Sequence, residues 1–98
     1  MAKGGGGTGR GGAGATYSIA GGRTLILPSG RSAPFNHGFE QAASYLRHGN
    51  NKRTRAVALG FIETVRRGNQ AIGEYSAAQN AALYAAGVRA AVRQASRG

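Results

Sequence analysis

Residues 50–67 read NNKRTRAVALGFIETVRR, and their spacing decides the class of the fold. At 100° per residue, Val57, Ala58, Phe61, Ile62 and Val65 fall within an arc of about 140°. Lys52, Arg53, Arg55, Arg66 and Arg67 occupy the opposite side, within about 160°. That is the pattern of a helix with one face turned to a core and the other carrying basic groups. Glu63 lies inside the basic arc and can pair with Arg67 one turn on. Leu59 stands on the basic side, where single exposed leucines are ordinary.

Working outward from this stretch, Phe39 to His48 reads as a shorter helix. Asn36 or His37 stands near its N-cap, Glu40 in its first turn and Gly49 just past its end. Asn50 or Asn51 then caps the second helix, which Gly68-Asn69 closes. From Gln70 to about Arg97 the chain is Ala-rich and reads as a long helix that tolerates Gly73 and Gly87. Its bulky residues do not share one face. Tyr84, Val88 and Val92 recur at i, i+4 and i+8, and Arg89, Arg93 and Arg97 form a separate row roughly opposite Val88. Such a helix kinks near Gly87 or is packed on two sides, and its Ala rows let other backbones approach closely.

Residues 16–27, TYSIAGGRTLIL, read as a hairpin around a two-residue Gly21-Gly22 loop. That register sets Ile19 against Thr24 and Tyr17 against Ile26 on one face, with Ser18–Leu25 and Thr16–Leu27 on the other. Ahead of the hairpin, residues 1–15 form a Gly-rich extended arm without side chains that could build a core. The expected fold is mainly α. The arm spans 1–15, the β-hairpin and a turn-rich connector 16–38, and the helical region 39–98, with two to three helices ending in the long Ala-rich one. A lone ribbon is marginal in water and the core-forming length is small. Tyr17, Ile19 and Ile26, with Tyr84, Val88 and Val92, are therefore candidate protein-interface residues.

Charge names the other partner. The 98 residues carry 13 Lys and Arg against 3 acidic residues, a net charge of +10. All but Lys3 and Lys52 of these cations are Arg, whose planar fork of donors matches phosphate. Such a chain repels itself and attracts polyanions. Lys52, Arg53, Arg55, Arg66 and Arg67 are the candidate nucleic-acid-binding set. They spread along the helix instead of placing Gln, Asn or Ser at a base-reading N-terminal face, so the expected contact is DNA or RNA backbone.

Other chemistries find no motif. Without Cys there are no disulfides, thiol nucleophiles or Cys-based zinc sites, which suits a reducing cytoplasm as the place of synthesis. No run has the form of a signal peptide or a bilayer span. Gly4, Gly6 and Gly9 match G-x-G-x-x-G, but no strand precedes them. Arg10 and Gly11 stand where a P-loop needs Lys and Ser or Thr. His37 and His48, in a chain without Asp, have no metal-ligand spacing. Catalytic residues, metal ligands, cofactors and a small-molecule substrate are all expected to be none. The expected function is a non-enzymatic structural component of a large nucleic-acid-containing assembly. The first form of it is a small virion protein, at a capsid, portal or tail joint or ejected with the genome, that packs between neighbouring subunits. The alternative is a cytoplasmic, sequence-nonspecific nucleic-acid-binding protein associated with the ribosome or nucleoid.

Overall fold

The computed structural model describes residues 14–72 and 78–97. An antiparallel hairpin, β1 (Thr16–Ile19) and β2 (Arg23–Ile26), is followed by helices α1 (Ala33–Leu46), α2 (Lys52–Ile72) and α3 (Ala78–Ser96). The architecture is mainly helical, as the periodicity implies. The expected arm, apart from Gly14 and Ala15, lies outside the described residues, as does the stretch from Gly73 to Ala77.

α1 starts at Ala33, well before the expected Phe39. Ser32 is its N-cap, its hydroxyl accepting from the Phe35 N–H at 3.4 Å. Pro34 sits in the first turn, where a missing N–H leaves no helical bond unmade. The connector expected to run to Gly38 is therefore shorter, because Pro34 and Gly38 both lie in α1. Gly38 is buried inside the helix because α3 crosses there. A Cβ on Gly38 would sit on the Tyr84 carbonyl, 3.1 Å from its carbon and 3.2 Å from the Val88 nitrogen. The contact is reciprocal: a Cβ on Gly87 would meet the Phe35 carbonyl, 2.9 Å from its carbon and from the Phe39 nitrogen. Two glycines thus let two helical backbones touch, and α3 runs through Gly87 unbroken. The close neighbour foreseen for the Ala-rich helix belongs to the same chain.

α1 ends at Leu46 with Arg47 as its C-cap, not at His48 with Gly49 beyond it. The Leu46 carbonyl accepts the Ala20 N–H of the hairpin tip at 3.0 Å, which satisfies one orphan acceptor of the helix end. At the start of α2, Asn51 Oδ1 accepts the Thr54 N–H at 3.0 Å, and Thr54 Oγ1 accepts the Asn51 N–H at 2.8 Å. This reciprocal cap selects Asn51 over Asn50. α2 passes through Gly68-Asn69 to Ile72. An interior glycine costs about 1 kcal/mol, which weakens a helix without stopping it.

The hairpin register differs from expectation by one residue. Tyr17 faces Leu25, Ser18 faces Thr24 and Ile19 faces Arg23. The loop is Ala20-Gly21-Gly22, with both glycines in the left-handed region (φ 87° and 71°). Because side chains alternate, a one-residue slip exchanges the faces of β2. Leu25 and Leu27 turn inward and become fully buried, while Ile26 turns out and stays 54% exposed. Burying two leucines outweighs burying one isoleucine, and that difference selects the register.

The core is made by the hairpin, α1 and α3: Ile19, Leu25, Leu27, Phe35, Phe39, Leu46, Tyr84, Val88 and Val92, filled in by alanines. Among the described α2 side chains only Ala58 is fully buried. Phe61, Ile62 and Val65 are half-buried against the core, and Val57, placed by its spacing on the apolar face, is exposed. Phe61 meets Tyr45 edge to face at 5.6 Å. Phe61→Ala is therefore expected to cost only about 1–2 kcal/mol, less than the full burial of such a ring would imply. Urea denaturation followed by circular dichroism measures it.

Candidate nucleic-acid interface

α2 opens with cations. Lys52 and Arg53 are exposed in its first turn, and no acidic residue stands there. Positive side chains at this end oppose the helix dipole, which favours anions. Arg55 is half-buried and holds Asn50, Nη1 donating to Oδ1 at 2.8 Å. Asn50 Nδ2 in turn donates to the Ala95 carbonyl at 3.1 Å. The first turn of α2 is thereby tied to the last turn of α3.

Arg23 meets the same carbonyl from the other side. Its Nη1 donates to Ala95 O at 3.0 Å and also to Arg97 O, and its Nη2 donates to Gln94 O at 3.1 Å. A guanidinium thus satisfies three carbonyls at the negative end of the α3 dipole. Arg93 and Arg97 lie exposed at this helix end. Lys52, Arg53, Arg55, Arg93 and Arg97 accordingly cluster at two helix ends that one hydrogen-bond chain holds together, with Arg23 of β2 clasped onto it. Among the described residues the carboxylate side chains are Glu40 and Glu63. Glu40 Oε2 accepts from the Tyr17 hydroxyl at 3.0 Å.

Glu63 takes the other two candidates. It bridges to Arg66 at 2.7 Å and to Arg67 at 3.2 Å, about 20 Å along α2 from Lys52 at 1.5 Å per residue. The five residues of the basic arc are therefore not one patch. Among the described residues no carboxylate meets Lys52 or Arg53, Arg55 is committed to Asn50, and Arg66 and Arg67 share one carboxylate. The hydrogen bond from Arg66, followed by its charge and the donation from Arg67, holds the Glu63 carboxyl below the ordinary carboxylate range. The pairing is present at neutral pH and is lost as pH falls through that lowered value, leaving one more positive charge on this half of α2. An NMR titration of the Glu63 carboxyl should show the low midpoint, and Arg66→Gln should raise it.

The candidate protein-interface residues need a correction. Ile19, Tyr84, Val88 and Val92 are buried in the chain's own core, and Tyr17 is half-buried against Phe39 with ring centroids 5.9 Å apart. Side chains spent inside cannot face a neighbour. Ile26 alone of the six remains exposed. The pattern that suggested two partners for α3 is met by α1, α2 and the hairpin, which pack on it.

His37 lies edge-on to Tyr84 at 5.9 Å, and His48 is exposed. Among the described residues no three His, Cys, Asp or Glu side chains gather as metal ligands, and no helix is long and apolar enough to cross a membrane. Local patterns did not reveal Arg23, Asn50 or Gln94, because each acts on backbone atoms of a distant element. Matching models exist for this chain neither among protein families nor among curated proteins or solved structures.

Proposed function

We propose that this chain is a non-enzymatic component of a nucleic-acid-containing assembly that holds phosphate backbone without reading sequence. The observation that carries this reading is the exposed pair Lys52 and Arg53, set at the positive end of α2 with no acid in that turn. Left without an anion, that arrangement works against the helix, and breaches of a local rule concentrate where a molecule functions. Arg93 and Arg97, at the adjoining end of α3, extend the same basic end. A backbone contact of this kind suits a packaged genome or a structural RNA equally.

The test is the salt dependence of binding to a mixed-sequence duplex and to a single strand. With about four phosphates engaged, log K should fall against log salt with a slope near −3 to −4. Lys52→Gln with Arg53→Gln should flatten it by about 2. Arg66→Gln with Arg67→Gln should change it less, because Glu63 already offsets that pair. Equal effects from the two double variants would distribute the contact along α2 and defeat the assignment.

A second reading, that protein neighbours cover part of the surface, is favoured by the exposed apolar side chains Ile26, Val57 and Leu59. In a virion or similar particle both contacts operate together.

A further inference from the structure

Three elements meet at the carbonyl of Ala95. Asn50, just ahead of α2, donates to it through Nδ2 at 3.1 Å, and Arg23 of β2 donates through Nη1 at 3.0 Å. Two donors fill both of its lone pairs. Ala95 is buried, so water is a poor substitute for either donor. Asn50 is itself held in orientation: Arg55 Nη1 donates to its Oδ1 at 2.8 Å, which turns Nδ2 toward Ala95. Gln94 secures the hairpin to the same turn of α3, its Oε1 accepting the Ile26 N–H at 2.9 Å and its Nε2 donating to the Ile26 carbonyl at 2.7 Å.

Exposed cations surround this point. Lys52 and Arg53 follow Asn50 by two and three residues, and Arg93 and Arg97 stand two residues to either side of Ala95. Among the described residues no carboxylate meets any of the four. Asn50 and Ala95 are 45 residues apart in sequence, so it is their hydrogen bond that sets one basic pair beside the other. Like charges gathered in this way repel, and a polyanion that spans both pairs removes the repulsion.

We propose that Asn50 is a positioning residue for phosphate: by tying the start of α2 to the last turn of α3, it makes the two basic pairs one preorganised contact for a single stretch of nucleic-acid backbone. The inference rests on the phosphate reading above and adds the residue that joins the two halves of the site. Charge alone predicts the opposite result of removing it. Asn50→Ala takes away no cation and releases the Arg55 guanidinium, so simple attraction to a polyanion would stay the same or grow. Preorganisation predicts a loss, because each pair then engages the backbone separately and the cost of ordering the two ends falls on binding.

The test is a double-mutant cycle in the full chain, read as affinity for a mixed-sequence DNA duplex over a range of salt. Asn50→Ala should weaken binding about tenfold and flatten the salt slope by about 2, as one pair drops out. In the background of Arg93→Gln with Arg97→Gln no second pair remains to be joined, and there Asn50→Ala should change neither quantity. Equal losses in both backgrounds would make Asn50 a merely structural residue and overturn the proposal, as would an affinity that Asn50→Ala leaves unchanged or raises. Unchanged amide exchange at buried Val88 shows that the variants are folded. A second measurement needs no variant. Coupling is reciprocal, so saturating duplex should slow exchange of the Asn50 Nδ2 protons by a similar factor, about tenfold. No slowing defeats the proposal even if Asn50→Ala fails to fold. A chain that binds duplex without a salt slope, or not at all, overturns the phosphate reading and this inference with it. Salt-dependent binding with an additive cycle leaves that reading standing and removes only the role of Asn50.

Discussion

Gly87→Ala should unfold this protein or come close to it. The added methyl group meets the carbonyl of Phe35 and the nitrogen of Phe39, and neither can rotate aside as a side chain would. α1 and α3 must separate, and the burial of Phe35, Phe39, Tyr84 and Val88 loosens with them. A loss of about 3 kcal/mol or more is expected, a large fraction of what a domain of this size possesses. Gly38→Ala should act alike, through the Tyr84 carbonyl. The two should be strongly non-additive, since helices already pushed apart by one methyl have room for the other. Gly60→Ala is the control. It is exposed on α2 with nothing within 4 Å of the added atom, and it should stabilise the helix by about 0.5–1 kcal/mol. Thermal and urea unfolding followed by circular dichroism separates these outcomes. If Gly87→Ala and Gly60→Ala behave alike, the backbone contact between α1 and α3 does not exist.

The hairpin register gives the second large effect. Leu25→Ala should cost about 3–5 kcal/mol, because Leu25 is fully buried and its removal leaves a cavity among rigid neighbours. Ile26→Ala, one residue on, should cost a few tenths of a kcal/mol at most, as expected for a side chain more than half exposed. The register in which Tyr17 faces Ile26 would reverse the ranking. Equilibrium denaturation of the two single variants is enough to decide.

The helical class and the hairpin were legible in the sequence because both are periodic. The amphipathic spacing of Val57 to Val65 and the pair of β-prone runs around Gly21-Gly22 survive without tertiary information. The faults arose where a residue has two meanings. By pattern alone Gly38 belongs to the turn-rich connector and Gly87 is a weak helix former, yet each is present because another backbone passes within contact distance. Pro34, within the same expected connector, occupies the first turn of α1. The register turned on a loop of two or three residues, and only the burial of Leu25 and Leu27 resolves it. The basic arc was correctly placed on α2, but periodicity could not tell a cation free in solvent from one engaged by Asn50 or Glu63. Likewise, the apolar rows of α3 identified residues that need covering without saying that α1 covers them.

Arg23 and Gln94 fasten the hairpin to α3 across 72 and 68 residues of chain. During translation the hairpin therefore leaves the ribosome long before the helix that clasps it exists. Two short strands hold together poorly by themselves, and contacts so distant in sequence form late. The nascent chain must carry an unclasped ribbon with exposed edges until α3 has been made. A ribosome stalled within α3 would expose an incomplete, adhesive intermediate, and solubility in the cell would depend on how quickly synthesis passes that point.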